Sequence, residues 1–267
     1  MEDYHFPLDE YCDRIGVPLS GAPTVDRLEA LHRGHVYTIP FENLDIQLGR
    51  GIDLTPAHVD EKVIRRHRGG YCFELNGLFL RALTASGFEA RPLLGRVHVT
   101  GEPSGRCHQI SLVRVAGRDW VADVGFGAAC PRMPIPLEPN TIHDHNGTLF
   151  KLENHELGYM LLAQLEGHWK NLYSFDLCPV VPNDIAVGNY YTSTNPVVHF
   201  TKSRMAVLCH PEGVTKLYNY RCTTQRREEV VVEQLPDSEI YLAELRHRFG
   251  IQLDGTYDQL QSVQADA

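Results

Sequence analysis

The nine residues RGGYCFELN, Arg68 to Asn76, constrain this chain more than any other stretch. Gly69 and Gly70 break the helical pattern before them, and a new apolar period starts directly afterwards at Leu75, Leu78, Phe79, Leu80 and Leu83, with Gly87 as its stop. That spacing predicts a helix with Cys72 at or just before its first turn. Unpaired backbone N–H groups and the positive end of the helix dipole meet there. Both favour thiolate over thiol, so a pKa below the free value of roughly 8.5 is expected for Cys72. A cysteine at an arbitrary position is usually a small buried hydrophobe. A Gly-Gly approach followed by a helix start is not arbitrary, and it points to an enzyme with a cysteine nucleophile.

The segments before the glycines read as helical. Leu8 to Gly16 and Thr24 to Gly34 have helical spacing, the second with Val25, Leu28 and Leu31 on one face, and Thr55-Pro56 opens a helix through Val59, Val63 and Ile64. Between them Tyr37 to Leu48 is irregular, since Pro40 ends helical continuity, and Phe41 beside Glu42 and Asn43 makes it a candidate pocket wall. After Gly87 the period changes. Residues 91–100, 107–115, 120–124, 148–153, 159–165 and 169–175 read as short strands between turn formers, an antiparallel meander or barrel. A short helix is predicted over Asn183 to Tyr191, then strands over 197–200, 205–209, 216–221 and 229–235. The last element is a helix capped by Asp237 or Ser238 and closed by Gly250, followed from Thr256 by a loosely held tail.

Composition narrows the function classes. The net charge of -9 argues against a nucleic-acid or anionic-membrane partner. Seven cysteines with no CxxC pair fit no closed disulfide framework and indicate a reducing compartment. With no apolar leader in MEDYHFPLDE and no segment of membrane-spanning length, a cytoplasmic location is expected.

A cysteine nucleophile needs a base, and the base needs a group that fixes its tautomer. Of fourteen histidines, His108 is the best placed, on a strand with Ile110 and Leu112 on its face. Asp123 lies on the next strand, in WVADVGFG, where a buried carboxylate requires a partner. Register poses a difficulty. A hairpin turning about Gly117 would set His108 opposite Phe126, three residues beyond Asp123, so a bulge or a non-adjacent strand order is required. The clusters His143-Asp144-His145 and His32/His35 lack companion ligands at metal spacing and read as solvated loop residues, so no metal is expected. No GxxxxGK[ST] or GxGxxG stretch is present, which disfavours nucleotide hydrolysis and nicotinamide chemistry. A Cys-His-Asp site suits a peptidase, a transglutaminase-like enzyme, an amide synthase or another acyltransferase, and a non-enzymatic binding module remains the bland alternative.

RGGYCFELN, the histidine-led strand at His108, DVGFG from Asp123 and IPFENLD from Ile39 occur in an order that resembles the arylamine N-acetyltransferases, in particular the shorter, bacterial-type members. The resemblance implies a mixed α and β fold with a cysteine-protease or transglutaminase-like catalytic core. Its parts would be a helical domain over 1–87 carrying the nucleophile, a β-barrel over 88–181, an interdomain helix over 182–196 and an α/β lid over 197–267. Cys72, His108 and Asp123 match the triad, and Phe41, Val97, Phe126 and Phe200 match residues lining the acceptor pocket. Gly125 and Gly127 of DVGFG are carried over as contacts to the donor. The implied reaction is ping-pong transfer of an acetyl group from acetyl-CoA, through an acetylated cysteine, to an arylamine or arylhydrazine. Acetyl-CoA would be a co-substrate, with no cofactor bound permanently.

Overall fold

Residues 4–263 are described in the computed structural model of the chain. The first third is helical: α1 (Leu8–Ile15), α2 (Val25–Thr38), α3 (Leu44–Gln47), α4 (Pro56–Val59) widening into a π-helical turn over Asp60–Arg65, and α5 (Cys72–Ala85). Thr24 caps α2 by accepting the Arg27 N–H at 3.2 Å, and α2 ends two residues before Pro40, whose ring cannot continue a helix. The stretch predicted as irregular holds a two-residue strand, β1 (Phe41–Glu42), between α2 and α3.

Eight strands follow: β2 (Glu89–Val97), β3 (Arg106–Val115), β4 (Arg118–Ala122), β5 (Ile135–Pro136), β6 (Ile142–His145), β7 (Thr148–His155), β8 (Gly158–Leu165) and β9 (His168–Phe175). They form one antiparallel sheet in the order β5-β4-β3-β2-β9-β8-β7-β6. This is an open barrel with β5 and β6 at its edges, curled over a core that includes Leu93, Ile110, Phe150, Leu161 and Phe175. The short strands β5 and β6 have no counterpart in the sequence reading.

Helix α6 (Pro182–Thr194) leads to β10 (Met205–His210), β11 (Gly213–Tyr218), β12 (Arg221–Arg226), β13 (Glu229–Gln234) and α7 (Ile240–Phe249). These four strands and β1 build a five-stranded antiparallel sheet in the order β1-β10-β11-β12-β13. The segment predicted as one strand over 216–221 is two, β11 and β12, turning at Asn219, which takes φ 53°. The strand predicted over 197–200 does not form. The Phe200 carbonyl accepts the side-chain amides of Asn43 and Gln47, each at 2.8 Å, and so has no need of a ladder, and His199–Thr201 is a 3-10 turn.

The tail predicted from Thr256 is held down as far as it is described. Tyr257 and Leu260 are buried, and the Arg204 guanidinium lies 5.0 Å from the Tyr257 ring centre. Residues 264–267 of that predicted tail lie outside the described residues. Among the described residues, no helix is long and apolar enough to cross a membrane.

Candidate active site

Cys72 is the first residue of α5, as the Gly-Gly approach predicts, but the glycines are required by close packing rather than by left-handed backbone. A Cβ on Gly69 would lie 2.0 Å from the Pro40 carbonyl oxygen. Glu42 N–H donates to the Gly70 carbonyl at 2.8 Å, so the chain entering α5 lies against β1. Phe41 is thereby fixed beside Cys72's approach segment.

His108 and Asp123 are brought together by the β3–β4 hairpin. Its ladder runs from Val115↔Arg118 to Ser111↔Ala122, leaving a two-residue turn, Ala116-Gly117, with φ of 52° and 75°. The hairpin centre therefore falls between these residues instead of on Gly117, and every predicted partner moves by one. Continued, the ladder would set Asp123 across from Ile110, on the face His108 shares. This corrects the predicted difficulty: neither a bulge in this hairpin nor a non-adjacent strand order is needed. Pairing stops at Ala122, and the freed Asp123 carboxylate reaches His108, Oδ2 to Nε2, at 2.7 Å.

The other carboxylate oxygen is fully engaged. Oδ1 accepts from Asn76 Nδ2 and from Gly125 N–H, both at 2.9 Å, and Asn76 Oδ1 in turn accepts the Val124 N–H at 3.0 Å. Burial acts to raise the Asp123 pKa, but His108, Asn76 and Gly125 outweigh it and hold the carboxyl below its usual range. An ionised Asp123 keeps the ring proton on Nε2 of His108 and leaves Nδ1 as the basic nitrogen. All three residues are buried, at 5%, 3% and 2% exposure for Cys72, His108 and Asp123, so the pairing of His108 with Asp123 is not screened by water.

For the sulfur taken alone, the expectation of a lowered pKa is reversed. Burial pushes the Cys72 thiol up and the negative charge of Asp123 adds to this, while the N–H groups of Gln109 and Phe73 act in the other direction without prevailing. The helix start helps, but desolvation wins. In this arrangement the Sγ contact is with the Cys107 carbonyl at 3.8 Å.

Aromatic residues surround the three. Phe126 packs edge-on to His108 with ring centres 5.0 Å apart, and Phe41 lies 5.8 Å from Phe200, which meets Tyr71 edge-on at 6.1 Å. Val97 ends β2 directly across from Tyr173 of β9. The two glycines carried over as donor contacts differ. Gly125 gives its N–H to Asp123, and a Cβ there would lie 2.8 Å from Asn76 Nδ2 and 3.0 Å from the Cys72 Cα, so it is taken up by the site's own packing. Gly127, at φ 70°, has its carbonyl engaged by the Cys130 N–H at 3.1 Å, while a Cβ there would meet no heavy atom within 4 Å.

Two residues escaped the sequence reading. Asn76 lies four residues after Cys72 on the same helix face, and a buried amide in an apolar helix was the available signal. Tyr173, whose ring centre is 4.9 Å from that of His108, carries no signal, because only the β2–β9 pairing brings it there. His32 and His35, read as solvated, are fully buried on α2, both edge-on to Phe79, and His145 is buried accepting the Arg132 N–H at 3.2 Å. Among the described residues no group of histidine, cysteine and carboxylate side chains is placed to hold a metal ion.

The arrangement has counterparts in known proteins. Residues 24–257 match the family model described as N-acetyltransferase. The arylamine N-acetyltransferase of Escherichia coli K12 is 35% identical over 97% of this chain and 95% of its own length. That of Mycobacterium tuberculosis H37Rv is 32% identical over 91% and 89%. The solved Salmonella typhimurium arylamine N-acetyltransferase superposes with a TM-score of 0.90 at 33% identity, over 94% of this chain and 95% of that one. The Mycobacterium marinum arylamine N-acetyltransferase in complex with CoA also gives 0.90, at 31% identity over 95% and 97%. With a matching family model over most of its length and relatives above 30% identity along nearly all of it, the chain belongs to the arylamine N-acetyltransferase family.

Proposed function

We propose that the chain transfers an acetyl group from acetyl-CoA to the nitrogen of arylamines or arylhydrazines in two half-reactions, with Cys72 as nucleophile, His108 as base and Asp123 as the group that orients and charges the base. The observation that carries this reading is the buried 2.7 Å contact between His108 and Asp123 beside a cysteine that opens a helix. In the first half-reaction Sγ attacks the thioester carbonyl as its proton passes to His108, the carbonyl–sulfur bond to coenzyme A breaks, and the coenzyme leaves as the thiol with that proton. In the second, the amine attacks the acetyl-cysteine, loses a proton to His108, and the Cys72 thiol is regenerated. The imidazolium formed in each step faces the Asp123 carboxylate, which offsets its charge in a site that excludes water.

An arylamine is neutral at pH 7 and enters an apolar pocket at no cost in desolvated charge, whereas an alkylamine arrives protonated. Phe41, Phe126, Phe200 and Val97 are the walls of that pocket in this reading, and the open backbone at Gly127 is the approach for the donor. Residues 1–87 supply the nucleophile, 88–181 the base and its partner, and 197–267 close over them from beyond the 182–196 connector; the enzyme is placed in the cytoplasm. The test is to mix the protein with acetyl-CoA and no amine and to weigh the peptide containing Cys72. Stoichiometric acetylation there, absent in Cys72→Ala, supports the assignment. Acetyl-CoA that leaves Cys72 unmodified, while another acyl donor labels it, would favour an amide synthase or related cysteine acyltransferase.

A further inference from the structure

Two ionisable groups buried behind the nucleophile take no part in the chemistry above. Glu74, the third residue of α5 and 1% exposed, accepts the Tyr71 backbone N–H on Oε2 at 3.0 Å and the Lys62 ammonium on Oε1 at 2.7 Å. Lys62, on the π-helical turn and 5% exposed, also reaches Asp45 Oδ2 at 2.6 Å. A Cβ on Gly70 would lie 2.8 Å from Glu74 Cβ and 2.9 Å from its Oε2, so the second glycine of RGGYC is the space in which this carboxylate sits.

The charged groups facing the pair come from β1, α3 and the loops around them. Glu42 of β1, Asp45 of α3 and Arg68 before α5 are buried, with Arg68 bonded to Glu42 at 2.7 Å and to Asp45 at 3.1 Å, and Arg50 and Asp254 lie at the exposed rim. The ionisable groups that act on the sulfur are Tyr71, Cys107 and Asp123, the last paired with His108. Three buried carboxylates thus share two buried cations. Burial and Glu42 raise the Glu74 pKa against the pull of Lys62, and the carboxylates together hold the Lys62 ammonium charged despite its burial.

We propose that Lys62 and Glu74 are positioning residues for Cys72. The carboxylate clamps the first turn of α5 through the Tyr71 N–H, and the ammonium cancels the carboxylate's charge so that the positive end of the helix remains directed at the sulfur. The proposal rests on the reading of Cys72 as nucleophile. A lone carboxylate at the third position would oppose thiolate formation where the Phe73 N–H favours it. At a separation on the order of 10 Å and an effective dielectric of about 20, one uncancelled charge moves a neighbouring pKa by roughly one unit.

The test compares Lys62→Met, Glu74→Gln and the double variant in the full chain. The rate at which iodoacetamide modifies Cys72 is followed by mass from pH 5 to 9, with thermal unfolding recorded alongside. Lys62→Met should move the alkylation profile to higher pH by roughly one unit, a tenfold slower reaction at fixed pH below the midpoint. Glu74→Gln keeps an acceptor for the Tyr71 N–H and removes one negative charge, leaving Glu42 and Asp45 to balance Lys62 and Arg68, and should move the profile the other way. The double variant should return close to the original. Shifts of the same sign, or unshifted profiles accompanied by lower thermal stability, would show a scaffold role only and overturn the proposal. If Lys62→Met does not fold, Glu74→Gln and the double variant still carry the sign test. An active Cys72→Ala would instead sink the nucleophile reading, a result the alkylation profiles cannot mimic.

Discussion

Asp123→Asn changes one atom in a site where every hydrogen-bond role can be followed. If the new amide group faces His108, the oxygen left at the Oδ1 position keeps both bonds at 2.9 Å, from Asn76 and Gly125. The His108 nitrogen now opposite an N–H must accept, so the ring proton moves to Nδ1 and the base is lost. If the amide group points the other way, it meets two donors in a buried site, at about 1–3 kcal/mol for each unsatisfied group. Asn76 cannot flip to relieve this, because its own oxygen holds the Val124 N–H at 3.0 Å. The first orientation therefore wins, and the fold is expected to lose only about 1–2 kcal/mol, the difference between a charge-assisted and a neutral hydrogen bond. Acetylation of Cys72 should fall far more, by roughly 10⁴ as the equivalent change does in a serine triad, equal to about 5 kcal/mol of barrier. Rapid mixing with acetyl-CoA and mass detection of acetyl-Cys72 measures the rate, thermal unfolding measures the fold, and nitrogen NMR reads which ring nitrogen of His108 carries the proton. An Asp123→Asn protein that acetylates within tenfold of the original rate, with Nε2 still protonated, would refute the reasoning.

Arg68→Met leaves Glu42 buried without its cation and should cost about 3–5 kcal/mol in urea unfolding; lost activity at unchanged stability would instead give Arg68 a direct part in the reaction. Phe126→Ala or Phe41→Ala should lower the rate of the amine half-reaction well beyond that of acetyl-Cys72 formation, measured separately by single turnover, and equal losses would mean general misfolding. Burial holds His32 neutral in the folded chain, its pKa lowered to about 4, and likewise His145 to about 3. Below pH about 6.5 the unfolded chain takes up these protons and the folded chain does not, so this stability is fully present above that pH and falls with acid by about 1.4 kcal/mol per pH unit per histidine until the folded values are reached. Urea midpoints at pH 7 and 5 in the original and in His32→Leu should differ in slope by about one proton, and identical slopes would remove His32 from the account.

Local chemistry was legible in the sequence because its signals are short-range. The start of α5 at Cys72 follows from two glycines and an apolar period, and the pairing of Asp123 with a histidine follows from the expense of a carboxylate in an apolar strand. The Arg68–Glu42 pair is legible on the same ground, two opposite charges in segments that have to be buried. What the tertiary structure decided is everything set by register and by balance. A turn centred half a residue from Gly117 is invisible in composition, yet it moves Asp123 onto the face of His108. The strand order β3-β2-β9 places Tyr173 against the imidazole through a pairing as distant as Gly95 with Phe175, which no local pattern encodes. Tyr257 of the tail is buried because Arg204, Tyr220 and Tyr241 form the site that receives it, and His32 is buried because α2 turns that face toward Phe79. The Cys72 pKa shows the difference most directly. The sequence determines the helix end that lowers it, while the depth of burial and the charge of Asp123, which together raise it, exist only once the sheet has packed against α5.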